Sequence, residues 1–231
     1  EFLSGITEEL SESSYLPVIL QASSSHERNR AREHFERRSF DAVIDVSPYK
    51  GSELLEVLRE RGVPTVLCGQ LEGHPYRDVF STVNSDDEEG GHFAALAMKK
   101  RGRKDIVAVL GPQDNPAVVD RLRGYRTVLG EDLPGANVIY TGWNSGDGYQ
   151  AMHQILAREI AFDGVLCGSD RIAAGVITAL NEAGLSVPAD VSVVGFDDHE
   201  IAARCVPALT TVRQPLREEG HMAANIALDM I

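Results

Sequence analysis

Positive charge is what this sequence is short of. Lys and Arg number 22 against 35 Asp and Glu, a formal net charge of −13. Phosphate binding needs clustered cations, so nucleic acid is not expected to dock on these residues, and an anionic membrane surface is disfavoured for the same reason. Long apolar runs are missing as well: none approaches the roughly 18 residues that a bilayer-crossing helix requires. Cysteine is scarce. Cys68, Cys167 and Cys205 are odd in number, two of them lie in apolar runs, and they show neither metal-ligand spacing nor a disulfide framework. A reducing, cytoplasmic setting is expected. No signal peptide opens the chain, whose first residues, EFLSGITEEL, read as the middle of a helix.

Catalytic signatures are equally thin. There is no G-x-x-x-x-G-K-[ST] phosphate loop and no G-x-S-x-G elbow, and Gly142, Gly146 and Gly148 have the wrong spacing for a dinucleotide fingerprint. Asp197, Asp198 and His199 are adjacent, and three consecutive residues seldom converge on one ion. No metal and no cofactor are implied. With no acid and base paired at reactive spacing, an enzyme is not expected.

What the chain does have is regular alternation. Apolar, β-prone runs occupy residues 16–23 (LPVILQAS), 42–47, 65–69, 79–85, 106–111, 137–143, 164–169, 191–196 and 209–214. Helical periodicity falls at 1–13 and between most of these runs, at 26–38, 51–61, 116–129, 147–159 and 170–184. A last helix begins near Pro215 and is read as still running at Ile231. Asp86-Asp87-Glu88-Glu89 opens a further helix and Lys99-Lys100-Arg101 closes it, a charge order that complements the helix dipole. This βαβα order implies parallel sheets with helices on both faces, and nine strands suit two smaller sheets better than one wide one.

Ligands in such sheets bind beyond the carboxyl ends of the strands. Those ends read Asp45, Ser47, Gly69, Gln113, Trp143, Ser169, Asp197 and Gln214, mostly polar where the strand bodies are not. Arg121 lies beside the core stripe Val118, Leu122, Tyr125 and Leu129, and its side chain should lean toward the helix N-terminus and the strand ends. Its planar fork suits neighbouring hydroxyls or a carboxylate; the plainer reading is a surface ion pair with Asp120 or another acid. Asp197 can accept from hydroxyls, or it or Asp198 can merely cap the following helix. Trp143 offers a stacking face, or ordinary packing.

Three runs then carry a resemblance: DRLRGYR (120–126), CGSDRIAAGVITALNEAGLSVPADVSVVGFDD (167–198) and LTTVRQP (209–215), with weaker support from RSFDAVI (38–44), GVPTVL (62–67) and KKRGRKDIVAV (99–109). Nearly the whole chain resembles, in order, the effector-sensing domain of the lactose/galactose-repressor family of bacterial transcription regulators. The resemblance implies an α/β, two-lobed periplasmic-binding-protein-like fold, each lobe a parallel sheet with helices on both faces. The expected lobes are residues 1–85 with 214–231, lacking the family's first strand, and residues 86–213. The family's helix-turn-helix precedes this region and is not in the sequence, so operator DNA is expected as a partner only through it.

Carried over residue by residue, the resemblance places Arg121 as the effector-binding arginine, Trp143 as the aromatic packed on the effector and Asp197 as the carboxylate accepting its hydroxyls. Ser169 stands where many members have Asn, with Asp170 taken as the helix cap. Gln214 lies at a crossover between lobes and Leu216 faces the effector. Gly69 and Ala117 depart from the pattern, each removing a hydroxyl partner, and Asp45 is the candidate to compensate. The implied ligand is a sugar or sugar derivative, with a purine or nucleoside as the alternative. A homodimer is expected through residues 171–184 and an apolar patch of Ile201, Cys205 and Val206. A periplasmic sugar-binding protein of a transporter is the rival of another class.

Overall fold

The computed structural model describes residues 1–22, 24–37, 39–46, 53–69, 76, 78–158 and 160–231. In chain order these form α1 (Phe2–Leu10), α2 (Ser25–Glu36), β1 (Val43–Val46), α3 (Glu53–Arg61), β2 (Thr65–Cys68), β3 (Ser81–Val83), α4 (Asp87–Lys100), β4 (Ile106–Leu110), α5 (Pro116–Leu129), β5 (Val138–Tyr140), α6 (Ser145–Ala157), β6 (Gly164–Cys167), α7 (Asp170–Glu182), β7 (Ser192–Asp197), α8 (Glu200–Arg204), β8 (Thr210–Arg213) and α9 (Leu216–Asp229). Two compact units result, residues 1–85 with 215–231 and residues 86–214. The first holds a parallel sheet of order β1-β2-β3 and the second a parallel sheet of order β5-β4-β6-β7-β8.

Parallel strands covered on both faces lose the alternation of a half-exposed strand, and β4 shows why. Ile106, Ala108 and Leu110 pack with α4 and α5, while Val107 and Val109 pack with α6 and α7. Every β4 side chain is apolar because neither face meets water. The helices begin where their capping chemistry says they should. Ser24 and Glu27 form a capping box on α2, and Asn144 and Asp147 form one on α6. Pro116 occupies the first turn of α5, whose end Asn115 caps. In the first unit, Leu67 joins α2 and α3 in one core layer, while Val66, Cys68 and Val83 join α9 in the other. Among the described residues no helix is long and apolar enough to cross a membrane.

One expected strand is absent. Residues 16–22 form no ladder, and Leu16, Val18 and Ile19 are exposed; Ser23 lies outside the described residues. β-prone composition does not suffice, because a parallel strand needs a neighbour to take its N–H and C=O groups. Among the described residues β1 pairs with β2 alone, and a cavity of about 1170 Å3 is lined both by residues 15–20 and by β1. At the other end of the chain, α9 stops at Asp229, with Met230 as its C-cap, so the last helix is shorter than its sequence suggested. β5 is also shorter than residues 137–143: Asn137 belongs to a 3-10 turn, and the strand ends at Tyr140. Ser47, Gly51 and Glu159, read as a strand end and as helix termini, lie outside the described residues.

Candidate functional site

In the second unit the sheet order reverses direction at β4: β5 lies on one side of it and β6 on the other. Such a switch point opens a crevice beyond the carboxyl ends. Gly111 follows β4 and Gly168 follows β6, and a Cβ on Gly168 would stand 3.1 Å from Gly111 N. Trp143, just beyond β5, lies against Gly111 so closely that a Cβ there would meet the indole at 2.5 Å. The half-buried indole packs against both core layers. Gln113 lies further out, exposed in the loop after β4.

Arg121 reaches this rim from the second turn of α5 with its side chain only 5% exposed. Its Nε donates to Asp87 Oδ1 at 2.8 Å, and Nη1 donates to the Gly168 carbonyl and lies 3.5 Å from Asp197 Oδ1. The guanidinium carbon sits 3.7 Å over the centre of the Phe196 ring, a stacked cation–π arrangement with the cation largely dehydrated. The alternative pairing with Asp120 is not made. Asp120 instead pairs with Arg123 at 2.7 Å, because side chains at i and i+3 share a helix face while i and i+1 diverge.

Asp197 ends β7 and accepts from Gln214 Nε2. Both Asp197 (φ 103°) and Asp198 (φ 58°) have positive φ, a conformation that β-carbon sterics discourage. Three contacts hold it: Arg213 Nε donates to Asp198 at 2.7 Å, Gln214 N donates to the Asp197 carbonyl at 3.4 Å, and His199 N donates to Asp170 Oδ2 at 2.7 Å. Neither acid caps the next helix; His199 does, its Nδ1 accepting from Ile201 N at 3.2 Å. With Asp198 on Arg213 and His199 on the helix end, this trio diverges, and no metal-holding cluster occurs among the described residues.

The cap of α7 is Ser169, whose Oγ accepts from Ile172 N at 3.2 Å, and not Asp170 as the sequence suggested. A shorter hydroxyl at the N-cap reaches the helix amide directly, leaving Asp170 to tie the ends of β7 and β8 through His199 N and Thr211 Oγ1. Asp170 is fully buried, and burial raises its pKa. Burial likewise pushes the Asp197 carboxyl up to about 6, helped by Asp170 and Asp87 and opposed by Arg121 and Gln214.

The structure therefore joins Arg121, Asp197 and Gln214 by direct contact, with Ser169 and Trp143 on neighbouring strand ends. Asp45 and Leu216 belong to the first unit: Asp45 sits in β1, its pKa raised by burial, and Leu216 opens α9 half-buried. Asp87 and Phe196 were not foreseen. Asp87 had been absorbed into an acidic run, yet it shares a helical stripe with Gly91, Ala94 and Met98, all buried. That spacing was the available signal.

On the second unit's surface, Ala174, Ile177 and Thr178 of α7 face Ile201, Cys205 and Val206 across a shallow groove of about 300 Å3. Val206 is 83% exposed there.

A family model described as periplasmic binding protein-like domain matches residues 95–231. The HTH-type transcriptional regulator CelR of Thermobifida fusca is 33% identical over 230 residues, 98% of this chain and 67% of CelR. The HTH-type transcriptional repressor PurR of Pectobacterium atrosepticum is 35% identical over 199 residues, 84% of this chain and 58% of PurR. Among solved structures, a CelR–cellobiose complex superposes with a TM-score of 0.93 at 31% identity, covering 99% of this chain and 70% of that one. A LacI family regulator from Enterococcus faecalis with bound ribose gives 0.85 at 27% identity, covering 99% and 83%.

Proposed function

We propose, from the premise that this chain belongs to the periplasmic-binding-protein-like domain family of LacI-type transcriptional regulators, that it is the effector-sensing domain of such a regulator and binds a sugar. The observation that carries this reading is the rim of the second sheet. Asp197 as acceptor and Gln214 stand at the adjacent ends of β7 and β8, Arg121 reaches Asp197 from α5 as a donor fork, and the Trp143 face follows β5, a set suited to a ring that is polar at its edge and apolar on its face. That one relative was solved with cellobiose and another with ribose supports the same class. Asp45 and Leu216, of the first unit, are proposed as further ligand-binding residues. Nothing in the rim pairs a nucleophile with a base, so the ligand is read as a signal and not a substrate.

The mechanism follows from linkage. An effector that binds one arrangement of the domain better than another shifts the population toward it, and only that differential affinity is passed on. In this reading the recipient is a helix-turn-helix of the kind the relatives are named for, acting in the cytoplasm. The α7–α8 groove, with Val206 exposed, is proposed as part of a homodimer face. A monomeric mass at micromolar concentration would count against that face.

The direct test is thermal unfolding against a panel of sugars and nucleosides. A ligand at 100 times its Kd stabilises by about 2.7 kcal/mol, which for a chain of this size is a rise of roughly 5–10 °C. Saturation by a nucleoside alone would replace the sugar reading with the purine one.

A pH dependence follows from Asp197. Sugar hydroxyls donate more strongly to its carboxylate than to its protonated form, so affinity should be constant above about pH 7. It should fall as pH drops through about 6, by at most tenfold per unit. Folding has the opposite sign: for an acid whose pKa is raised, the stability contribution is present below the ordinary carboxylate range and lost as pH rises through about 6. Calorimetric titrations from pH 5 to 8 check this, and Asp197→Asn should bind weakly at every pH with a flat profile.

A further inference from the structure

The charge around Arg121 is unbalanced, and the imbalance restricts what can bind beside it. Arg121 is the one cation among the buried residues of the second unit described here. Its Nε is engaged by Asp87 at 2.8 Å and its Nη1 stands 3.5 Å from Asp197, so two carboxylates share one guanidinium. A third, Asp170, is fully buried two residues beyond Gly168, whose carbonyl takes the other Nη1 bond. The nearby Arg213 does not redress this, since it is bound to Asp198 and largely exposed. An incoming phosphate or carboxylate would have to compete with Asp87 for Arg121 while approaching Asp197 at like charge. A hydroxyl can donate to Asp197 and accept from the remaining guanidinium N–H without adding charge.

We infer that the effector is uncharged where it meets Arg121, a neutral polyhydroxylated sugar and not a sugar phosphate or sugar acid, and that Asp87 is the positioning residue that enforces this choice. The inference rests on the effector-sensing reading above. Asp87 acts through Arg121: it fixes the guanidinium over Phe196 and occupies the Nε edge that an anion would otherwise take. Asp87 is buried in the first turn of α4, so it sets charge selectivity through Arg121 and not by facing the ligand itself.

The test is a titration of the chain with two matched pairs, cellobiose against cellobionate and ribose against ribose 5-phosphate, at pH 7.5 and fixed ionic strength. Fluorescence of Trp143, the single tryptophan, reports binding. The wild-type chain should bind a neutral member at least tenfold more tightly than its anionic partner. Asp87→Asn, nearly isosteric, should narrow that ratio tenfold or more, chiefly by tightening the anion. An anion bound as well as its neutral partner by wild type overturns the inference without needing the variant. A neutral sugar bound with a ratio unchanged in a folded Asp87→Asn protein overturns the role of Asp87. If neither neutral sugar nor either anion binds, the sugar reading falls and the inference with it, while the nucleosides of the unfolding panel decide the effector-sensing reading.

Discussion

Replacing Arg121 with alanine should cost about 3–5 kcal/mol of stability and abolish effector binding. The stability cost comes mainly from what is left behind. Asp87 and Asp197 would be two largely buried carboxylates without their shared cation, and the Gly168 carbonyl would lose its donor. Phe196 would also lose the guanidinium stacked on its ring, exposing a void in a region where the ring is only 2% accessible. At roughly 2–4 °C per kcal/mol for a chain of this length, the melting temperature should fall by about 6–20 °C. The loss should depend on pH in a defined sense. Without Arg121 the Asp197 pKa rises further above its unfolded value, so the variant recovers stability as pH falls and is weakest at alkaline pH. A double variant, Arg121→Met with Asp87→Leu, removes the pair together and should lie closer to wild type in stability than Arg121→Ala while still failing to bind. Melting curves at pH 5 and pH 8 settle the matter. A cost under 1 kcal/mol, or one that does not vary with pH, would mean the guanidinium is not carrying the buried charge.

The parts of the fold that were legible in sequence are those that local physics determines. β4, β6 and β7 stand out as short apolar runs because helices bury both their faces, and Pro116 marks the start of α5, whereas α2 and α6, read from 26 and 147, begin at Ser25 and Ser145 behind the caps Ser24 and Asn144. What was not legible depends on distant partners. Residues 16–22 have the composition of a strand, yet whether they join a ladder depends on a neighbouring strand that no local pattern reveals. Arg121 stands out in the sequence as a candidate effector-binding arginine, but its ion-pair partner lies 34 positions earlier, on another helix. Asp87 looked like one of four acids favouring a helix N-terminus; only its place on the buried stripe of α4 distinguished it. Ser169 and Asp170 show the same limit at short range. Either can cap a helix, and the choice was decided by Thr211 and His199, which need Asp170 for themselves.

The second large effect concerns how α4 is pressed against α5. Among the described residues three helix pairs meet at reciprocal glycines. A Cβ on Gly5 would meet Arg217 O at 2.1 Å and one on Gly220 would meet Phe2 O at 2.1 Å, joining α1 to α9. Gly148 and Gly175 would meet Ile172 O at 2.2 Å and Ser145 O at 1.9 Å, joining α6 to α7. Gly91 and Gly124 would meet Arg121 O at 2.3 Å and Glu88 O at 2.0 Å, joining α4 to α5. In each case the obstacle is backbone, which cannot rotate aside as a side chain can, so a methyl group must push the helices apart. Gly91→Ala and Gly148→Ala should each gain about 0.5–1 kcal/mol of intrinsic helix preference and lose more than that to overpacking, at or above the usual range of about 1–3 kcal/mol. The overpacking loss itself is of similar size in both. Their consequences for binding should differ. Gly91 presses on the backbone of Arg121 itself, so its replacement displaces the guanidinium from Asp87, Gly168 and Phe196. Gly148 presses on α7 on the opposite face of the sheet, away from that contact set. Paired melting and effector titrations on the two variants should therefore show a thermal loss in both, the larger in Gly91→Ala, with affinity falling tenfold or more only in Gly91→Ala. Equal affinity losses would mean that the site responds to general loosening of the second unit, and that the α4–α5 crossing does not set the position of Arg121.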